Sequence, residues 1–92
     1  MRQDRLTKHT KKFKKDYGRM IKSGKNIEKL DKVIGMLIDE IPLPATYRDH
    51  ALTGNLEGFR DCHIEPDWVL IYTIQGNTLL LYRTGSHAEL FG

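Results

Sequence analysis

Residues 58–83 read GFRDCHIEPDWVLIYTIQGNTLLLYR, and this stretch decides the fold. It holds three runs rich in aromatic and β-branched residues, Gly58–Ile64, Trp68–Ile74 and Thr78–Arg83, separated by Glu65-Pro66-Asp67 and Gln75-Gly76-Asn77. Runs of this kind bounded by Gly, Pro, Asn and Asp predict strands, and the last two are close enough to form a hairpin. In Trp68–Ile74 both alternating sets are apolar: Trp68, Leu70, Tyr72 and Ile74 on one side, Val69 and Ile71 on the other. A strand apolar on both sides must be covered on both, which places it at the centre of the sheet.

Working outward, the N-terminal half has the helical period instead. An extended start at Arg5-Leu6-Thr7 leads to Phe13, Tyr17, Met20 and Ile21 at spacings of three and four, with Gly24 as a stop. Asn26 can cap a second helix whose stripe is Ile27, Leu30, Ile34, Leu37, Ile38 and Ile41, ended by Pro42-Leu43-Pro44. The expected fold is therefore α+β. An N-terminal helical hairpin packs on a four-stranded, mostly antiparallel sheet, and a short C-terminal helical turn is capped by Ser86. The second face of the sheet is expected to stay available.

A chain of 92 residues suits one domain, 1–92. With 39% hydrophobic and 29% charged residues it belongs among globular chains rather than disordered ones. No apolar run approaches the roughly 18 to 20 residues that span a bilayer, and the basic start has no signal-peptide stretch, so the expected location is the cytoplasm, away from membranes. One cysteine, Cys62, rules out an internal disulfide and a cysteine-based zinc cluster. It reads as a small buried apolar residue.

The net charge of +3 is unevenly spread. Residues 1–32 carry 12 Lys/Arg against 4 Asp/Glu, whereas residues 33–92 carry 3 against 8. The first segment attracts polyanions, although the same lysines could be no more than a solvated helix face.

Three histidines of the second half stand beside turns or strand ends: His50, His63 and His87. Histidine changes charge near neutral pH, and strand ends can aim several side chains at one point. Cleavage of RNA by its own 2′-hydroxyl needs a group to take that proton, a group to protonate the leaving oxygen, and a cation beside the phosphorane. Histidines and lysines can do all three, yet each histidine could also be a packed, hydrogen-bonded residue. His63 and Asp67 could also ligate a metal, but the sequence has no compact ligand motif, so neither metal nor cofactor is expected.

The segment from Gly58 to Tyr72 closely resembles the YafQ toxins of the RelE/ParE superfamily. Arg83-Thr84-Gly85-Ser86-His87-Ala88-Glu89-Leu90-Phe91 is similar to that family's C-terminal signature, and Pro42-Leu43-Pro44 through Asp49-His50-Ala51-Leu52 to the loop before its sheet. The resemblance implies the RelE-like ribonuclease fold and a toxin that cuts messenger RNA in the ribosomal A site without a metal. It also implies silencing by a ribbon-helix-helix antitoxin of the DinJ type. Position by position, it assigns the active-site histidines to His50, His63 and His87, the acid to Asp67 and the substrate-positioning aromatic to Phe91. His87 with Asp67 or His50 would move the protons, and the remaining histidine would stabilise phosphate charge.

Phe91 could instead seal the core. Trp68 could stack on RNA or pack inside; Arg83 could neutralise phosphate or pair with a sheet acid. Lys11, Lys12, Lys14, Lys15, Arg19 and Lys22 would ride on ribosomal RNA. Tyr72 and Tyr82 read as sheet packing and His9 as solvated. The alternative of another class is a ParE-like toxin that poisons DNA gyrase without cleaving anything. His50, His63, Asp67 and His87 argue against it, because a purely binding toxin does not need them.

Overall fold

The computed structural model describes residues 5–92, and its elements begin where the sequence supplies caps. Strand β1 is Leu6–His9; helix α1 is Lys11–Lys22, capped by Thr10, whose hydroxyl accepts from Phe13 N at 2.9 Å. Helix α2 is Ile27–Ile38, and the Asn26 side chain accepts from Glu28 N at 3.2 Å. Each cap satisfies an amide that would otherwise lack a partner in the first turn. The second helix stops at Ile38, short of the prolines, because Asp39 caps it and Glu40 turns into the left-handed region at φ 59°. Ile41, expected on the buried stripe, is consequently exposed, and Val33 is fully buried in the stripe instead.

The remaining elements are β2 (His50–Ala51), β3 (Arg60–Glu65), β4 (Trp68–Gln75), β5 (Thr78–Gly85) and α3 (His87–Phe91). The sheet order is β1-β5-β4-β3-β2, with β1 parallel to β5 and all other pairs antiparallel. The chain crosses from one edge to the other through the two helices, then walks back strand by strand. β4 is thus central, as its two apolar sides required. The sheet has five strands rather than the expected four, because His50–Ala51 pairs with Arg60 and Asp61. Two residues carry no readable alternation, and only the neighbouring strand makes them part of a sheet.

One face of the sheet meets the helices. Cys62, Ile64, Trp68, Leu70, Tyr72, Leu79 and Leu81 join Phe13, Met20, Leu30, Val33 and Leu37 in one buried cluster. Leu30, Val33, Leu70 and Leu79 are fully buried, and burial of such a side chain contributes about 1.5–3 kcal/mol. The opposite face is less open than expected. Val69 and Ile71 are also buried but stand outside that cluster, and the Thr73 hydroxyl donates to Gly58 O at 2.7 Å. The loop before β3 therefore folds over part of this face.

Cys62 confirms its reading as a buried apolar residue, and burial pushes its thiol up to about 12. Only the thiolate is nucleophilic. Alkylation by iodoacetamide at pH 8 should therefore stay negligible until the protein is unfolded in urea, as followed by mass spectrometry. Rapid labelling of the native chain would show that β3 opens far more readily than this packing allows.

Candidate active site

Strand pairing brings the histidines together on the face away from α1 and α2. Side chains alternate along β3, so Asp61 and His63 point opposite to Cys62 and Ile64. Across the sheet His50 lies opposite Asp61, and His63 opposite Val69. β5 ends at Gly85, where a side-chain carbon would come within 2.9 Å of Glu89 Oε1. The missing side chain lets α3 turn back tightly, and Ser86 and Glu89 lock its start with a reciprocal capping box. His87 is the first residue of this helix and Phe91 the last.

The result is a row. Ring centroids are 6.5 Å apart from His50 to His63, 5.2 Å from His63 to His87, and 5.9 Å from His87 to Phe91. Phe91 is 44% exposed, so it does not seal the core. Asp67, in the turn between β3 and β4, accepts from both Nδ1 (3.2 Å) and the backbone N–H (3.3 Å) of His87. These contacts hold the Asp67 carboxyl below the ordinary carboxylate range. A carboxylate can only accept, so the Nδ1 of His87 carries a proton and Nε2 faces away.

His50 is oriented by the same logic. Its Nδ1 lies 2.7 Å from Arg48 O, and a carbonyl oxygen can only accept. That carbonyl is aimed by a non-glycine residue in the left-handed region, Arg48 at φ 50° and ψ 40°, a conformation that costs about 1–2 kcal/mol. The same Nδ1 is 3.1 Å from Asp61 Oδ1 but directs its hydrogen bond to Arg48, which leaves that buried oxygen without one. Asp61 is 3% exposed, and burial pushes its carboxyl above the ordinary value against the pull of His50, His63 and His87.

Asp61 and Arg48 were not singled out from the sequence. Asp61 was within reach, because it stands two residues before His63 on the same side of a strand. Arg48 was not, since its contribution is a backbone carbonyl.

Other expected contacts are placed elsewhere. Trp68 is fully buried on the helix side and gives its indole N–H to Thr84 Oγ1 at 2.9 Å, rather than facing the groove. Arg83 donates from Nε and Nη2 to Asp16 of α1, at 2.7 and 3.2 Å. Its partner is a helix acid, not a sheet acid. Lys11, Lys12, Lys14, Lys15 and Lys22 are exposed and have no acidic partner among the described residues, whereas Arg19 is tied to Asp16 and Glu89. Among the described residues no three His, Cys, Asp or Glu side chains converge to hold a metal ion.

Residues 5–92 match the family model described as the bacterial toxin of type II toxin-antitoxin system, YafQ. The mRNA interferase toxin YafQ of Escherichia coli strain K12 is 46% identical over 81 residues, which is 87% of this chain and 88% of that one. In the crystal structure of the E. coli DinJ-YafQ toxin-antitoxin complex, a chain 42% identical superposes with a TM-score of 0.91, covering 98% of this chain and 100% of that one. The crystal structure of a metal-bound toxin from Helicobacter pylori, 46% identical, gives 0.88 and covers 95% and 99%. With the fold, the histidine row and a match over nearly its whole length, the chain belongs to the YafQ family of type II toxin-antitoxin toxins.

Proposed function

We propose that this chain is an endoribonuclease that cuts messenger RNA on the translating ribosome, in the A site, with the 2′-hydroxyl of the substrate as nucleophile. The observation that carries the reading is the row His50, His63, His87 and Phe91. Three titratable rings 5.2 to 6.5 Å apart lie beside an exposed aromatic ring. The Asp67 carboxylate orients His87 and the Arg48 carbonyl orients His50, each through Nδ1, so both rings present Nε2 to a substrate. One Nε2 takes the proton of the 2′-hydroxyl, the other protonates the departing 5′-oxygen, and His63 between them faces the phosphate charge. Each proton-transfer role is worth about 10²- to 10⁴-fold in rate. Phe91 stacks on a base splayed out of the single strand, as aromatic side chains do in RNA recognition.

The relatives support the partner as well. A YafQ chain of the same fold is held by DinJ, and an antitoxin of that ribbon-helix-helix type is the expected silencer here, in the cytoplasm where ribosomes are. Primer extension on a reporter message in a purified translation system tests the proposal, using EDTA-washed protein with and without ribosomes. Cuts within codons that need ribosomes and survive chelation are expected. Cuts that are absent with the EDTA-washed protein in magnesium buffer and return when a transition metal is added back would overturn the metal-free chemistry. An intact message together with stalled DNA gyrase would instead favour the ParE-like reading.

The unpaired lysines of α1 are the surface for ribosomal RNA. Replacing Lys11, Lys12, Lys14 and Lys15 with Glu should weaken co-sedimentation with ribosomes and lower its salt dependence by roughly 0.7 in log–log slope per lost phosphate contact. Binding that keeps its strength and slope would reduce these residues to a solvated helix face.

A further inference from the structure

Beyond the row lies a cavity that the proposed chemistry does not use. β2 pairs only with Arg60 and Asp61, so among the described residues no strand covers the outer edge of β3 from Cys62 onward. The Ala45–Tyr47 turn stands off this edge and leaves a cavity of about 340 Å³. Its walls include Thr46, Tyr47, Arg48, His63, Glu65 and Pro66. Small-molecule sites begin near 300 Å³, so this one admits a single base with its sugar and not more.

Three observations make the cavity a site rather than a gap. His63 belongs to both the cavity and the row, so a ligand here lies next to the reacting phosphate. Arg48 is exposed, and it alone among the described arginines has no acidic partner. Arg5 pairs with Glu40, Arg19 with Asp16 and Glu89, Arg60 with Asp49, and Arg83 with Asp16. Glu65 lines the cavity, and ion pairs with Lys25 and Lys29 at 3.5 and 2.9 Å hold its carboxylate in place. The Arg48 backbone also orients His50, so one residue joins the rim of the cavity to the histidine row.

We infer that this cavity is a nucleotide subsite that holds the base on the far side of the scissile phosphate from Phe91. Arg48 takes the neighbouring phosphate, and Thr46 and Glu65 read the base edge. The inference rests on the ribonuclease reading and deepens it by naming where sequence preference arises. A hydroxyl and a fixed carboxylate favour a base with an exocyclic amine, because the carboxylate accepts and cannot donate. Tyr47, His63 and Pro66 supply flat walls for its ring.

The test is an NMR titration of the full chain with an RNA trinucleotide carrying 2′-O-methyl groups, which cannot be cleaved. It is paired with mapping of cut sites on translated messages. The amides of Thr46, Arg48 and Glu65 should shift and saturate. Arg48→Gly should weaken binding about tenfold, the loss of one charge-assisted hydrogen bond, and Arg48→Lys should restore part of it. Glycine keeps the left-handed turn, so that variant retains the carbonyl for His50. Thr46→Trp, which fills the cavity, should flatten base preference at one position beside the cut.

Shifts confined to His87 and Phe91, with cut-site preferences unchanged in Thr46→Trp, would overturn the subsite and leave the ribonuclease standing. If no message is cut, the ribonuclease reading fails, and still amides at residues 46–48 and 65 would then remove the nucleotide subsite as well.

Discussion

Replacing His87 with alanine is expected to lower message cleavage by about 10²- to 10⁴-fold, the range of a general acid or base in a ribonuclease. The ring stands within the row, 5.2 Å from His63 and 5.9 Å from Phe91, with Asp67 fixing its Nδ1. Its side chain is 46% exposed and its backbone contact to Asp67 survives the change. Stability should therefore stay within about 0.5 kcal/mol, as for surface substitutions generally. Primer extension gives the cleavage and thermal unfolding gives the stability. A variant that cuts at the wild-type rate would remove His87 from the chemistry and shift both proton transfers onto His50 and His63.

A large effect on stability is expected from Asp16→Ala. Asp16 is 2% exposed inside α1, and accepts from Arg83 Nε and Nη2, from Thr84 N at 3.2 Å and from Arg19 Nη2 at 3.0 Å. Its removal leaves Arg83 and the Thr84 amide without their acceptor. Breaking a buried pair costs about 3–5 kcal/mol. The lower end, about 3 kcal/mol, applies here, since Arg83 keeps 23% of its side chain exposed and can reach water. Against a typical total of about 5–15 kcal/mol, that is a large fraction.

The pH dependence of this pair has a definite sign. Burial opposes ionisation of Asp16, but Arg83, the Thr84 amide and Arg19 outweigh it and hold the carboxyl below its ordinary value of 3.8. A folded value below the unfolded one means the contribution is complete above 3.8 and is lost as pH falls through the lower, folded value. Urea unfolding should therefore show the gap between wild type and Asp16→Ala at pH 7 shrinking in strong acid. A gap that is small at pH 7 would mean that Arg83 finds another partner, and a large gap that stays constant down to low pH would mean that Asp16 does not act through its charge.

Periodicity and caps in the sequence were enough for two helices, the three long strands, the hairpin at Gly76 and the central place of β4, because these depend on neighbours a few residues apart. Local spacing also carried Asn26 and Ser86 as caps and Cys62 as a buried residue. The end of α2 lies earlier than the sequence pattern predicts. The prolines at 42 and 44 are a visible stop, but Glu40 had already left the helical region, and nothing in its side chain announces that.

The candidate site divides along the same line. His50, His63, Asp67, His87 and Phe91 were legible as residues, through their types and through the family pattern they complete. Their assembly into a row was not, because it depends on His50 pairing opposite Asp61 and on α3 folding back past Gly85. Trp68 and Arg83 illustrate the limit from the other side. The residue types suit RNA, yet an indole with Thr84 and a guanidinium with Asp16 are partnered across 16 and 67 positions of chain.

By itself, then, the sequence determined the elements, the central strand and the identity of the chemical groups, since each follows from local period or residue type. Tertiary structure alone decided which groups meet, which cations stay unpaired and where a cavity opens beside His63, since these are consequences of contacts between residues that no local pattern relates.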